Sequence, residues 1–484
     1  MNAAEISMTH AKLLFGLLPL AALAQAPAEP PPLMHLNVLV FDSAGQPVGD
    51  LNAADFQVTD AGKPQRILYF HRKGAPKEAA LPAGTLTNRT PVPPHATAIL
   101  FDFLNNPSQN ETLDAIRKVG RSLAQLDSGE GIYLYVLNYD GSMTPIHPIP
   151  DNPLVPAADD KTWVKDVEAQ LAKAQRAKNL VRPGGQLQEE GTKKTYLAWE
   201  TLAKGLGSFS GERNIVWVMK DVPSVATPKE HCNGIWLECA LYIPHVCFVL
   251  DRTGVAVDPV SYGILNPDAN RGMDEFAGLV SGRPFYGDDL RTVLSKLADD
   301  NAGGYVLGYD PGPQPGDEKF HLIKVSCERA GVKVRARQRY YPSVDSRQPA
   351  MRAQETLRAA AFSPFDDPQI GLRATTAPAP GGQKGVHVEL RIDATDLAMR
   401  EEGGAFTDHI AWWLVSYNAS GPFGSPRGGD STLRLTKEQL AGMKDGLPFP
   451  IDLPIEAATK KIRFIIFDYT TGAVGSLSIP VGAS

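Results

Sequence analysis

The chain has 484 residues, too many for one hydrophobic core, so roughly two or three domains are expected. Apolar residues make up 43% and charged residues 21%, a globular composition that excludes a largely disordered chain. The net charge of −6, with both signs interspersed, lacks the basic footprint that phosphate neutralisation needs and speaks against nucleic acid as a partner.

Residues 1–26 read as a signal peptide. Lys12 precedes the apolar run 13–23, shorter than a bilayer span, and Ala22-Leu23-Ala24 and Ala24-Gln25-Ala26 offer small-residue cleavage sites. The mature chain is therefore expected to begin at Gln25 or Pro27 and to be secreted or periplasmic, with no cysteine placed for a lipid anchor and no membrane span. Residues 33–73 alternate as a small β module with strands at 36–41, 56–58 and 66–70, and 74–94 lacks periodicity and reads as a linker.

Residues 95–342 alternate strands with helices, which predicts a parallel sheet covered on both faces and closed by a β-hairpin. The run Ala98-Ile99-Leu100-Phe101 ends in Asp102, a buried strand carrying a carboxylate to its C-terminal edge. Further strands are expected at 132–137, 215–219, 246–251 and 305–309, and a helix carrying Leu113, Ile116, Val119 and Leu123 on one face. More helices are expected at 163–177, 196–206, 273–280 and 288–298, with 184–191 a polar loop. In the hairpin, Lys333, Arg335 and Arg337 alternate with apolar residues and read as a solvated face. Residues 343–372 form a second linker, and 373–484 a β-sandwich-like domain with a capping box at Thr436 and Gln439. Trp412 and Trp413 face opposite ways, so at most one can line a sugar-binding surface.

In an oxidising compartment Cys232 and Cys239, flanking a short loop with Asn-Gly, are the expected disulfide. Cys247 and Cys327 are expected to be buried or paired with each other.

Three groups of residues form a recognisable combination. The first is Val40, Asp42, Gly45, Pro47, Val48, Leu51, Asp55, Phe56 and Val58, followed by Gly62-Lys63-Pro64-Gln65. The second is Arg213-Asn214-Ile215-Val216-Trp217. The third is Gly303-Gly304-Tyr305-Val306-Leu307-Gly308-Tyr309-Asp310-Pro311 with His321-Leu322-Ile323-Lys324-Val325. Together they resemble the von Willebrand factor A-related family of secreted bacterial proteins of the acidobacterial type. The resemblance implies an α/β fold with a doubly wound, mostly parallel, Rossmann-like sheet, flanked by the N-terminal β module and the C-terminal sandwich.

It also implies a non-enzymatic adhesion or scaffold protein that binds a protein or cell-envelope ligand at a metal on the sheet's C-terminal edge. The family's Asp-x-Ser-x-Ser reads here Asp102-Phe103-Leu104-Asn105-Asn106, with Thr192 or Thr195 in the place of the loop threonine and Asp221 in that of the last aspartate. Leu104 has no oxygen to offer, so the set is degenerate: no cofactor, or Mg²⁺ bound weakly, with Lys220 beside Asp221 opposing a cation. No local nucleophile, zinc or phosphate-loop signature stands in the chain, and no catalytic residue is assigned. Two alternatives are a structural envelope component without a ligand site, and a hydrolase using Asp102, Asp221 and a metal-bound water.

Overall fold

A computed structural model describes residues 33–73, 81–89, 95–104, 109–125, 131–150, 162–176, 185–209, 211–219, 246–247, 249–250, 253–261, 273–274, 276–278, 280–312, 321–340, 349–363, 365–379, 385–443, 445–456 and 458–481. The first strands are β1 (Met34–Phe41), β2 (Phe56–Asp60), β3 (Lys63–Gln65), β4 (Ile67–Arg72) and β5 (Leu86–Thr87). The central stretch runs β6 (His95–Asp102), α1 (Gln109–Ala124), β7 (Ile132–Leu137), β8 (Met143–His147), α2 (Thr162–Arg176), α3 (Gly185–Leu206), β9 (Glu212–Met219), β10 (Val255–Ser261), β11 (Phe285–Tyr286) and α4 (Leu290–Gly303). After it come β12 (Tyr305–Tyr309), β13 (His321–Cys327), β14 (Lys333–Ala336), β15 (Arg339–Tyr340) and α5 (Pro349–Phe362). The last unit holds β16 (Leu372–Pro378), β17 (Gly385–Ile392), β18 (Arg400–Glu402), β19 (Ala405–Asn418), β20 (Gly421–Leu435), α6 (Lys437–Gly442), β21 (Leu447–Pro454), β22 (Lys461–Asp468) and β23 (Val474–Pro480).

These elements correct the expected fold class. Strand outweighs helix, 46% against 26%, and the sheets are mostly antiparallel, so the chain is not a doubly wound parallel Rossmann-like α/β protein. Parallel pairing is confined to one mixed sheet, in the order β11-β10-β9-β6-β7-β8, whose edge strand β8 runs antiparallel. The expectation failed because it let one α/β stretch stand for the whole chain. Tyr305–Tyr309, read as the strand completing that sheet, lies instead between β1 and β4, antiparallel to both.

The strands on either side of the central stretch thus form one unit. The sheets β14-β1-β12-β4 and β15-β13-β2-β3 face each other across a core of Leu36, Val38, Phe56, Tyr305, Leu307 and Tyr309. Turn chemistry fixes its register. Asp42 Oδ1 accepts from Ala44 N–H at 2.9 Å and Gln46 N–H at 2.8 Å, while Gly45 takes the left-handed φ of 78° that the turn requires. The motif residues Asp42, Gly45 and Asp55 are thereby accounted for locally, since Asp55 Oδ2 accepts from Asn52 N–H at 2.7 Å.

In the mixed sheet β6 and β9 are nearly continuous apolar runs because both faces are covered. One face packs α1, α2 and α4 around Ile99, Phe101, Val216 and Val218; the other packs α3 against Leu100, Ile215 and Trp217. Residues 246–247 and 249–250, expected as a strand, are helical and buried against that second core. Their spacing satisfies one helix face equally well, the usual ambiguity of a short apolar run. The polar loop expected at 184–191 is helical from Gly185 onward.

The C-terminal unit packs β21-β17-β16-β5 against β18-β19-β22-β23, with β20 added on β19. Its core includes Leu390, Ile410, Phe449, Phe464, Leu477 and Ile479. Two segments read as linkers contribute to it: β5 pairs with β16, and α5 lies on the outer face of β19 and β22 through Ala353, Leu357 and Ala361. Trp412 packs on Phe449 and Phe464 and Trp413 on the α5 side, so both indoles serve packing.

Candidate functional site

The carboxyl edge of the mixed sheet is built around β6, the strand at which the chain path reverses. From β6 the chain moves outward to β7 and β8, then returns to β9 on the opposite side. In open sheets with parallel strands such a reversal leaves a crevice at the strand ends.

Asp102 ends β6 there and is fully buried. The Trp217 indole Nε1–H donates to its Oδ2 at 2.8 Å, and Phe103 N–H donates to Leu137 O at 2.9 Å, tying the strand end to β7. Trp217 itself is fixed by an edge-on contact with Trp199 of α3 and by Phe276. Burial, with the Asp102 charge adding to it, pushes the neighbouring Tyr139 hydroxyl up to about 12, and the Tyr139 ring stacks on Phe103.

Beyond β7 the turn 138–142 is held rigidly. Asn138 Nδ2 donates to Ser142 O and Oγ and to Thr144 Oγ1, and Ser142 N–H and Oγ–H both donate to Asp140 Oδ1. Those bonds hold the exposed Asp140 carboxyl below its ordinary range, with the Lys194 charge contributing. Lys194 Nζ donates to Asp140 O at 2.8 Å, and its stem lies over Gly141 where a Cβ would stand. The edge therefore carries a preorganised polar turn with a lysine and a carboxylate side by side.

Of the expected oxygen donors, Asp102 and Thr195 are described, and both are fully buried. Asn106, Asp221 and the Thr192 side chain lie outside the described residues, as do Lys220, Cys232 and Cys239. Leu104 packs against the apolar core. No group of three His, Cys, Asp or Glu suited to a metal occurs among the described residues. Cys247 is buried in the mixed-sheet core and Cys327 lies against the core of the first unit, so no disulfide joins them.

Other polar clusters were not foreseen. Arg335 and Arg337, read as a solvated face, sit in contacts: Arg335 covers the Phe41 ring at 4.9 Å and lies 3.8 Å from Asp300, and Arg337 Nε donates to Arg339 O. Asp258, buried in β10, accepts from Asn214 Nδ2 and Arg283 N–H at 2.7 Å each, and burial pushes it up to about 7. Asp60 Oδ2 accepts from the hydroxyls of Tyr309 and Tyr340 at 3.0 and 2.9 Å. Where the first and last units meet, Tyr69 stacks between His35 and His71, and His71 and Arg89 both engage Asp396. Each cluster joins residues far apart in sequence, and no local spacing announces them.

No family model and no curated protein matches this chain. Among solved structures, proximal thread matrix protein 1 from the mussel byssus is similar over 45% of this chain and 48% of its own, at 12% identity and a TM-score of 0.22. The chain thus spans about half the length of that protein, and so slight a likeness bears on neither fold nor function.

Proposed function

We propose that this chain is a secreted, non-enzymatic binding protein of the von Willebrand factor A-related type, which engages a protein or cell-envelope component at the carboxyl edge of its mixed sheet. The observation that carries this reading is the 138–142 turn, whose bonds to Asp140, Ser142 and Lys194 preset a charged surface before any partner arrives. A surface already ordered loses little entropy on association. Asp102 acts beneath it as an anchor, its carboxylate committed to the Trp217 indole inside the core. Recognition by this surface runs through the exposed polar turn and is independent of Mg²⁺.

The test is capture of envelope components on immobilised mature protein, compared with Lys194→Glu and with chelator present. One component should be retained with chelator and weakened about tenfold by the substitution, with an unchanged melting temperature. Equal capture by both proteins, or loss of capture with chelator, would sink the reading. Secretion is tested separately by the mass of exported protein, which should start at Gln25 or Pro27. A start at Met1 or Met8 removes that part of the proposal.

A second reading, a structural component that only holds modules together, draws on the same Asp102–Trp217 bond. It expects no component whose capture responds to Lys194→Glu.

A further inference from the structure

A cavity of about 380 Å³ lies between the first unit and the last. One wall is made by Ile67, Leu68, Tyr69 and Phe70 in succession, the other by Thr395 and Leu397. Neighbouring residues of a strand project to opposite faces, so a wall that uses four in a row is the edge of the strand and not either face. The topology agrees: β4 is the last strand of its sheet, paired to β12 on one side only. The slot therefore runs along an open strand edge, where backbone N–H and C=O groups are available to another extended chain.

Its charge is uneven. Arg89 is held on the last unit's side by Asp396 and Asp393. Arg72, at the end of β4, lines the slot, and no hydrogen bond or ion pair reaches its guanidinium among the described residues. Asp50, whose carboxylate feels the Arg72 charge, is bonded instead to Arg329 at 2.6 Å. Half-buried Leu68 and Phe70, with buried Leu397, supply apolar walls on either side of the edge. An open edge, apolar walls and one cation without a bonded counter-ion describe a site for an extended peptide that carries a carboxylate.

We propose that the slot binds such a peptide as an added strand on β4, with its carboxylate paired to Arg72. Main-chain bonds to the edge give affinity with little dependence on sequence, and the fork of Arg72 selects the acid. A peptide running parallel to β4 brings its C-terminal carboxylate to Arg72, whereas an acidic side chain reaches it from either direction. The site is separate from the 138–142 turn and stands or falls without it.

Saturation-transfer NMR on the full mature chain tests this with three acetylated tetrapeptides at millimolar concentration: Val-Thr-Val-Leu as free acid, the same peptide as carboxamide, and the carboxamide with glutamate as its last residue. The free acid, the glutamate peptide or both should bind, distinguishing a terminal from a side-chain carboxylate, and the plain carboxamide should bind at least about tenfold more weakly. Arg72→Gln should reduce binding to the carboxamide level without moving the melting temperature, Thr395→Trp should block the slot, and Lys194→Glu should leave binding unchanged. Equal binding of acid and amide, wild-type binding by Arg72→Gln, or no saturation by any of the three peptides overturns the proposal.

Discussion

Asp408 and Asp468 share one threonine inside the last unit, and burial pushes both carboxyls above their ordinary range. Asp468 accepts from the N–H groups of Thr470, Thr471 and Ala398, bonds that oppose the rise from burial without cancelling it. Asp408 Oδ1 accepts from His409 N–H and Thr470 Oγ1–H, but its buried Oδ2 meets no donor. Burial, and then the Asp468 charge, push Asp408 up to about 8, with Arg400 opposing the shift. A carboxyl raised in the folded state binds a proton the unfolded chain does not. Its stabilising contribution is full below the ordinary carboxylate range and is lost as pH rises through about 8. His35 works in the opposite sense: burial lowers it to about 4, so its contribution, present above the unfolded value, fades as pH falls towards that point. Asp408→Asn keeps an acceptor for His409 and Thr470 and removes the charge. Its melting temperature relative to wild type should climb steadily from pH 6 to pH 9. A difference that stays flat across that range would show that Asp408 does not titrate there.

Among elements, α5 departs furthest from its expected reading. Its segment looked like a linker because its apolar residues are mostly alanine, which marks a helix stripe only weakly. The stripe is nevertheless real: Ala353, Leu357, Ala360 and Ala361 are buried on β19 and β22. The helix end is fastened by Arg463, fully buried, whose guanidinium donates to Ala360 O at 2.9 Å and Ser363 O at 2.6 Å and lies over Tyr417. A cation on terminal carbonyls complements the helix dipole. Leu357→Ala should therefore cost about 2–5 kcal/mol in denaturant unfolding, as for a core leucine. A cost near zero would return α5 to the status of a linker. The same contrast explains what was legible. β6, β7 and β9 were placed from sequence because strands buried on both faces read as unbroken apolar runs. Asp102 followed as the residue ending such a run. Its partner Trp217 could not be found that way, since a bond across 115 positions leaves no local spacing. The partner strands of β12 were hidden for the same reason.

At the scale of the whole molecule the order of the chain and the order of its packing differ. Strands β1, β2 and β4 precede the central stretch, yet they complete their sheets with β12, β13 and β14 from beyond it. Buried residues from both ends of that stretch share one core, and the Tyr305 hydroxyl donates to Val48 O at 2.6 Å and accepts from Leu51 N–H at 3.0 Å. The same unit reaches the mixed-sheet unit through Lys73 and Glu212, 2.8 Å apart, and the last unit through the His71–Asp396 contact. Residues 33–73 are thus bound to the rest by four antiparallel ladders and a common core, and not by the covalent link alone. A protease site inserted between residues 76 and 79 tests this, with cleavage carried out under native conditions. Both pieces should elute together in gel filtration and separate only when denaturant is added, because parting them would expose the apolar faces of β12 and β13 at roughly 25 cal/mol per Å². Pieces that separate in plain buffer would show that the first strands are a detachable module, as their position in the sequence first suggests.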